Sequence, residues 1–356
     1  MNVVSASGSS ELAALLQRGW SVSAEDAAVV GSILSAVRSR GDAALVDYTR
    51  RFDDEAFDIS KLRVAILPRE SARSLVPHEV ADALELVRDR VARFHERQRQ
   101  VDVSYAEEDG TRYGLYRRPL ESIAALAPGG AYPAPVAVLM SVIPAKLAGV
   151  SRTVVLSPPH RSGHVHPAVL FACSLCEVDE LYAVGGAHGV AAAAFGTESI
   201  ARVDKIVGPG GVWVTEGKRQ VVGWCGIDAL SGPAEVLVVA DDGANSEYVA
   251  GELLAQAEHG QTSRLAVLSE SRPLLDAVAQ LLDTLDLPTL ERGAAISRAI
   301  SEKCALIHAA SRDEVFDVIE RFAPANLCLQ VRDASAYLPR IRRAGAIFVG
   351  DVTPLS

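Results

Sequence analysis

The sequence predicts an α/β protein built on parallel sheets, and three observations predict it. From Tyr113 onward, short apolar runs alternate with helical segments of about 10–15 residues, which is the spacing of βαβ units. The runs are continuous in Val, Ile, Leu and Ala, without apolar–polar alternation, as expected of strands covered on both faces. Glycine-rich turns follow several of these runs: Pro128-Gly129-Gly130, Gly185-Gly186-Ala187-His188-Gly189, Gly208-Pro209-Gly210-Gly211 and Ser231-Gly232-Pro233.

The N-terminal hundred residues read differently, as helices on a 3.6-residue period. Ser23 with Asp26 resembles a capping box, and the helix it opens carries Val29, Val30, Ile33, Leu34 and Val37 on its apolar side. Gly41 with Asp42 breaks that helix, and a second continues through Leu45 and Tyr48. Residues 76–100 form a long amphipathic helix ending in the polar run HERQRQ, which reads as a solvated helix end. The strands expected after this point are 123–127, 153–156, 181–184, 206–207, 236–240, 265–268, 306–308, 327–331 and 346–349. Helices are expected over 136–147, 167–175, 213–222, 246–259, 274–285, 313–322 and 336–343. That many strands exceed one comfortable domain, so two sheets are expected, with no linker or repeat to mark the boundary.

Composition narrows the function. The chain has 356 residues, 49% hydrophobic and 22% charged, enough for two ordinary cores without covalent staples. A net charge of −10 with no basic run excludes nucleic acid and anionic membranes as main partners and leaves small molecules or proteins. Cys173, Cys176, Cys225, Cys304 and Cys328 are an odd, scattered set, unlike a secreted disulfide framework. The N-terminus lacks the basic segment and apolar core of a signal peptide, and no window reaches the length of a membrane span. A soluble cytoplasmic protein is expected.

Each motif has an ordinary reading beside its functional one. The glycine turns can aim backbone N–H groups at a ligand, but none is a G-x-G-x-x-G, and tight strand-to-helix turns explain each equally well. Their shared position after strands is more informative, since open α/β sheets bind ligands at the carboxyl ends of strands. Cys173 and Cys176 have redox-pair spacing but lie in an apolar helix with no second pair, which favours core thiols. His188 either faces a ligand crevice or is a solvated loop histidine. In the stretch 226–260, Gln256 and His259 lie three residues apart on one helical face, the arrangement of half a metal site or of an ordinary helix terminus.

The stretches VRSRGDAALVDYTRRFD (37–53), FGTESIARVDKIVGPGGVWVTEGKRQVVG (195–223), GPAEVLVVADD (232–242) and AQAEHG (255–260) together resemble the L-histidinol dehydrogenase family. The resemblance runs over about residues 25–353 in unbroken order. It implies a zinc- and NAD-dependent homodimer with two Rossmann-like domains, the second inserted in the first. Here that places the inserted domain at 127–234 and the first domain at 1–126 with 235–356. It also implies a C-terminal segment that crosses to the partner subunit. This chain reads Thr353-Pro354-Leu355-Ser356 where that segment would begin, so a fold lacking the swapped tail is expected.

Carried over by residue, the resemblance assigns two of four zinc ligands to Gln256 and His259, a residual half-site. The family's Glu-His acid/base pair falls on Ala325 and Asn326, and a substrate-touching Ser on Ala234. Its cofactor-side Tyr, Gln and Asn fall on Leu126, His188 and Gly211. Alanine cannot activate water, and an amide has no useful proton affinity. The sequence therefore leads to the expectation of a retained fold with the zinc- and NAD-dependent oxidation lost and neither cofactor expected. A small molecule would occupy the old crevice, with His188, Gln256, Glu258, His259 and Asn326 as its polar groups. Two alternatives stand beside this: a divergent NAD-dependent dehydrogenase of an amino alcohol, and a non-redox lyase, cyclase or condensing enzyme with His188 or His259 as base.

Overall fold

The computed structural model describes residues 3–7, 12–13, 16, 22–130, 133–160, 163–230, 232, 234–258, 263–290 and 292–355. The chain divides into two compact units. One is Ser21–Ser231, and the other joins Met1–Trp20 to Gly232–Ser356. Strand β1 (Val3–Ser5) belongs to the second of these, and the chain then enters the first.

The Ser21–Ser231 unit opens with the helix Ala24–Arg40. Ser23 Oγ accepts from Asp26 N at 2.9 Å, and Val30, Ile33, Leu34 and Val37 are buried, so cap and apolar stripe are as the sequence indicates. Gly41, at φ +53, ends that helix, and Asp42–Phe52 follows at once. Beyond β2 (Arg63–Val64) and the helix His78–Glu96 comes a two-stranded hairpin, β3 (Val103–Ala106) with β4 (Arg112–Leu115). The sheet is then built by β5 (Ser122–Leu126), β6 (Arg152–Leu156), β7 (Glu180–Tyr182), β8 (Lys205–Val207) and β9 (Gly226–Ile227). Its order is β2-β7-β6-β5-β8-β9, parallel throughout except for β2. Counted from β5, the parallel part is the 3-2-1-4-5 arrangement of a Rossmann-like sheet, with its switch point between β5 and β8.

The other unit repeats that order. Strands β10 (Glu235–Ala240), β11 (Arg264–Ser269), β12 (Cys304–His308), β13 (Asn326–Gln330) and β14 (Ala346–Val349) join β1 in the order β1-β12-β11-β10-β13-β14, all parallel. Its core lies on both sheet faces, with Val236 and Val238 turned to one side and Leu237 and Val239 to the other. No helix among the described residues is long and apolar enough to cross a membrane.

The expected domain limits differ from this division. Placing 1–126 with 235–356 would separate β5 from its neighbours β6 and β8, yet β5 is the central strand of the Ser21–Ser231 sheet. The N-terminal helices belong to the same unit, because Val30, Ile33, Leu45 and their neighbours pack into the core that holds β5 and β6. Two helices arise where none was expected. The glycine-rich turn expected at 185–189 instead opens the helix Gly186–Phe195, which the buried alanine run 191–194 carries on. Gly293–Lys303 buries Ile296, Ala299 and Ile300 on one face. The helix expected over 336–343 is reduced to Ala334–Tyr337 and a 3-10 turn, Leu338–Arg340, because Pro339 cannot continue it.

Candidate functional site

In the Ser21–Ser231 unit a cavity of about 640 Å³ opens between helices that are far apart in sequence. The Asp42–Phe52 helix contributes Tyr48 and Phe52, one turn apart, with rings stacked at 5.9 Å, and Asp53 at its end. Val29, Ser32 and Ile33 come from the preceding helix, and Trp213 from the first turn of the helix Val212–Gln220. Across from them stands His188, in the first turn of Gly186–Phe195. It is no solvated loop histidine: only 2% of it is exposed. Gly186 makes room for it, since a Cβ there would lie 3.1 Å from the imidazole, and its φ of +59 suits glycine.

The electrostatics of this pair follow from burial. His188 Nε2 lies 3.4 Å from Thr49 Oγ1 and 3.8 Å from Asp53 Oδ2, the latter beyond hydrogen-bond length. Desolvation pushes the imidazole down to about 4, so it is neutral at physiological pH. The same effect pushes the Asp53 carboxyl up to about 6, leaving it ionised above that. The cavity therefore presents a neutral ring, a carboxylate with no ion pair to a charged base among the described residues, the cationic Arg51, and aromatic walls.

At the switch point of the same sheet, Gly208 follows β8 at φ +106, where a Cβ would fall 2.5 Å from the Leu126 carbonyl oxygen. Lys218 Nζ donates to Gly208 O at 3.0 Å and pairs with Asp228, whose other oxygen accepts Gly208 N at 2.7 Å. Ser157, buried at the end of β6, has no hydrogen-bond partner for its Oγ among the described residues. That oxygen points at Gly129, where a Cβ would be 2.1 Å from it.

The other polar groups expected in the crevice lie in the other unit. Gln256 is buried near the end of the helix Ser246–Glu258, its Nε2 donating to Glu252 Oε1 at 3.2 Å. Glu258 is the exposed last residue of that helix, and His259 lies outside the described residues. Asn326 opens β13, half-buried and in register with Val236 and Ala346; Ala325 before it is exposed, and Ala234 precedes β10. Asn326 and Ala234 thus mark the amino ends of strands, not the carboxyl ends where glycine turns directed attention. His188 belongs to one unit, and Gln256, Glu258 and Asn326 to the other.

The histidinol dehydrogenase family profile matches residues 16–356. The chain belongs to the histidinol dehydrogenase family. It is 43% identical over 321 residues to a histidinol dehydrogenase of Pseudomonas fluorescens (strain Pf0-1), covering 89% of this chain and 72% of that one. It is 44% identical to that of Pseudomonas putida, over the same shares of the two chains. A crystal structure of histidinol dehydrogenase from Elizabethkingia anophelis superposes with a TM-score of 0.88 at 32% identity, covering 97% of this chain and 79% of that one.

The groups that the resemblance implies can be tested on these residues. For zinc, Gln256 is the single described donor at the assigned positions, and part of its amide is engaged by Glu252. Among the described residues no three His, Cys, Asp or Glu side chains are gathered to hold a metal ion. A catalytic zinc takes about three protein ligands, and His259, the other ligand that the resemblance assigns, lies outside the described residues. For a nicotinamide dinucleotide, the glycine turns leave room for close backbone approach, but the side chains do not follow. Leu126 is buried in the core, Gly211 faces open space, and His188 is turned to Thr49 and Asp53.

In this histidinol dehydrogenase family member the sequence reading missed Tyr48, Phe52, Asp53 and Trp213. A signal existed: an aromatic pair four residues apart, followed at once by an acid, in YTRRFD. Cys173 and Cys176 are buried free thiols as expected. Burial pushes Cys176 up to about 12 and Cys173 higher still, which leaves both inert.

Proposed function

We propose that this chain binds a small molecule and does not carry out the oxidation for which its relatives are named. The observation that carries this reading is the sequence at 325–326. The family resemblance puts the acid/base pair at Ala325 and Asn326, and neither side chain exchanges a proton in the physiological range. Loss of one such group costs about 10²–10⁴ in rate, and the resemblance implies that both are lost here, with Ala234, Leu126 and Gly211 standing for a substrate-side Ser and a cofactor-side Tyr and Asn. The test is spectrophotometric, with the Elizabethkingia anophelis protein as positive control. Supplied with histidinol, NAD⁺ and Zn²⁺, this protein should yield NADH at least about 10³-fold more slowly. Turnover comparable to the control would overturn the reading.

A non-redox enzyme with His188 as base is the weaker reading, because an imidazole held near 4 has little proton affinity at neutral pH. A divergent amino-alcohol dehydrogenase needs the same proton acceptor that Ala325 and Asn326 do not supply; NADH formation on a panel of amino alcohols would establish it. Five free cysteines support a reducing, cytoplasmic setting. A homodimer is part of the proposal, supported by the exposed Val103, Tyr105, Tyr113 and Leu115 of the β3–β4 hairpin. Light scattering at micromolar concentration should return twice the 37.7 kDa chain mass.

A further inference from the structure

Asp53 ends the Asp42–Phe52 helix and lines the cavity with a side chain only 19% exposed. The basic nitrogen beside it, His188 Nε2 at 3.8 Å, belongs to a ring that desolvation keeps neutral, so it supplies no charge. A carboxylate withdrawn from water without a cation is costly, and a ligand that brings one recovers that cost. The rest of the wall holds one cation of its own, Arg51, which lies over Phe52 and makes no ion pair with Asp53 among the described residues, and is otherwise mainly aromatic. Tyr48 and Phe52 are stacked, Trp213 stands half-exposed beside the opening, and ring faces attract cations. Phe52 already has one over it, the Arg51 guanidinium at 5.4 Å.

We propose that this cavity is a binding site for a small organic cation of the arylalkylammonium class, its charge met by Asp53 and its body held against Tyr48, Phe52 and Trp213. The volume, about 640 Å³, is ample for a ligand of one or two rings. His188 forms the wall beside Asp53, where a neutral ring does not repel an incoming cation. The proposal rests on the reading that the protein binds a small molecule, and it names the chemistry of that molecule.

The probe is benzylamine, with benzyl alcohol as its neutral counterpart, each titrated calorimetrically into the full chain at pH 8. Benzylamine is expected to bind at least about tenfold more tightly than the alcohol, a difference of about 1.4 kcal/mol. Asp53→Asn is expected to abolish that preference, and Trp213→Ala to weaken benzylamine binding severalfold. Asp53→Asn removes an unmatched charge and should fold; Trp213 is 45% exposed, so its variant also leaves the core intact. Equal affinity for amine and alcohol, no detectable binding of benzylamine, or unchanged affinity in both variants would overturn the proposal. These outcomes are independent of NADH formation, so failure of the ammonium site and failure of the non-oxidising reading are told apart.

Discussion

His188 and Asp53 carry shifts whose consequences for stability oppose each other. His188 falls from 6.5 to about 4, so between those values the unfolded chain binds a proton that the native chain refuses, and stability is lost as pH drops through that window. Asp53 rises from 3.8 to about 6, so between 6 and 3.8 the native chain keeps a proton that the unfolded chain releases, and stability is gained on acidification. The two nearly offset in the wild-type protein. Asp53→Asn should therefore lose on the order of 2 kcal/mol relative to wild type between pH 6.5 and 4, and His188→Gln should gain a similar amount. Urea unfolding at several pH values measures both, and parallel curves for variants and wild type would refute the assignment. A second residue, Ala323, holds φ +42 at the end of the helix Arg312–Phe322, a conformation that costs a β-carbon-bearing residue about 1 kcal/mol. Ala323→Gly should raise stability by about 0.5 kcal/mol in the same assay, the strain relief outweighing the added chain entropy.

At the scale of elements, the turn after β8 is held by groups that follow it in the chain. Lys218, 2% exposed, and Asp228 grip the carbonyl and the N–H of Gly208 between them. Lys218→Met removes the cation and leaves a partly buried carboxylate, which should cost about 2–3 kcal/mol, below the usual 3–5 because Asp228 retains some water. Chemical denaturation measures it; a cost under about 0.5 kcal/mol would show that the clamp is dispensable. Most elements of this kind were legible in the sequence. Strands β5, β6, β10, β11 and β14 are apolar runs bounded by turn residues, and Ser23 and Gly41 announce the ends of a helix. The helix at Gly186 was not legible, because its two glycines argue against helix while its burial, the deciding factor, depends on the tertiary core. Nor was the β3–β4 hairpin, whose alternation of Val103, Tyr105, Tyr113 and Leu115 spans only four residues in each strand and marks no buried face.

For the whole molecule, the family could be read from the sequence but the division into units could not, because no composition shift marks residues 20 and 232. The cavity was hidden for a related reason. Tyr48, Asp53, His188 and Trp213 are brought together by helices that sheet order places side by side, and sequence spacing carries no trace of that. What marks the division is the core. Every buried residue of the cluster around β5 and β6 falls within 21–231, whereas the clusters on either face of β10 draw none from that span. A unit with its own apolar core, a closed set of strand neighbours and continuous sequence has what independent folding requires. Residues 21–231 made alone should thus unfold cooperatively by near-ultraviolet circular dichroism. They should also bind benzylamine as the full chain does, since all the cavity-lining residues lie within the span. A broad, non-cooperative melt would mean that the helices around Asp53 depend on the rest of the chain for order, and the charge cost at Asp53 would then be shared by the whole protein instead of being borne within one unit.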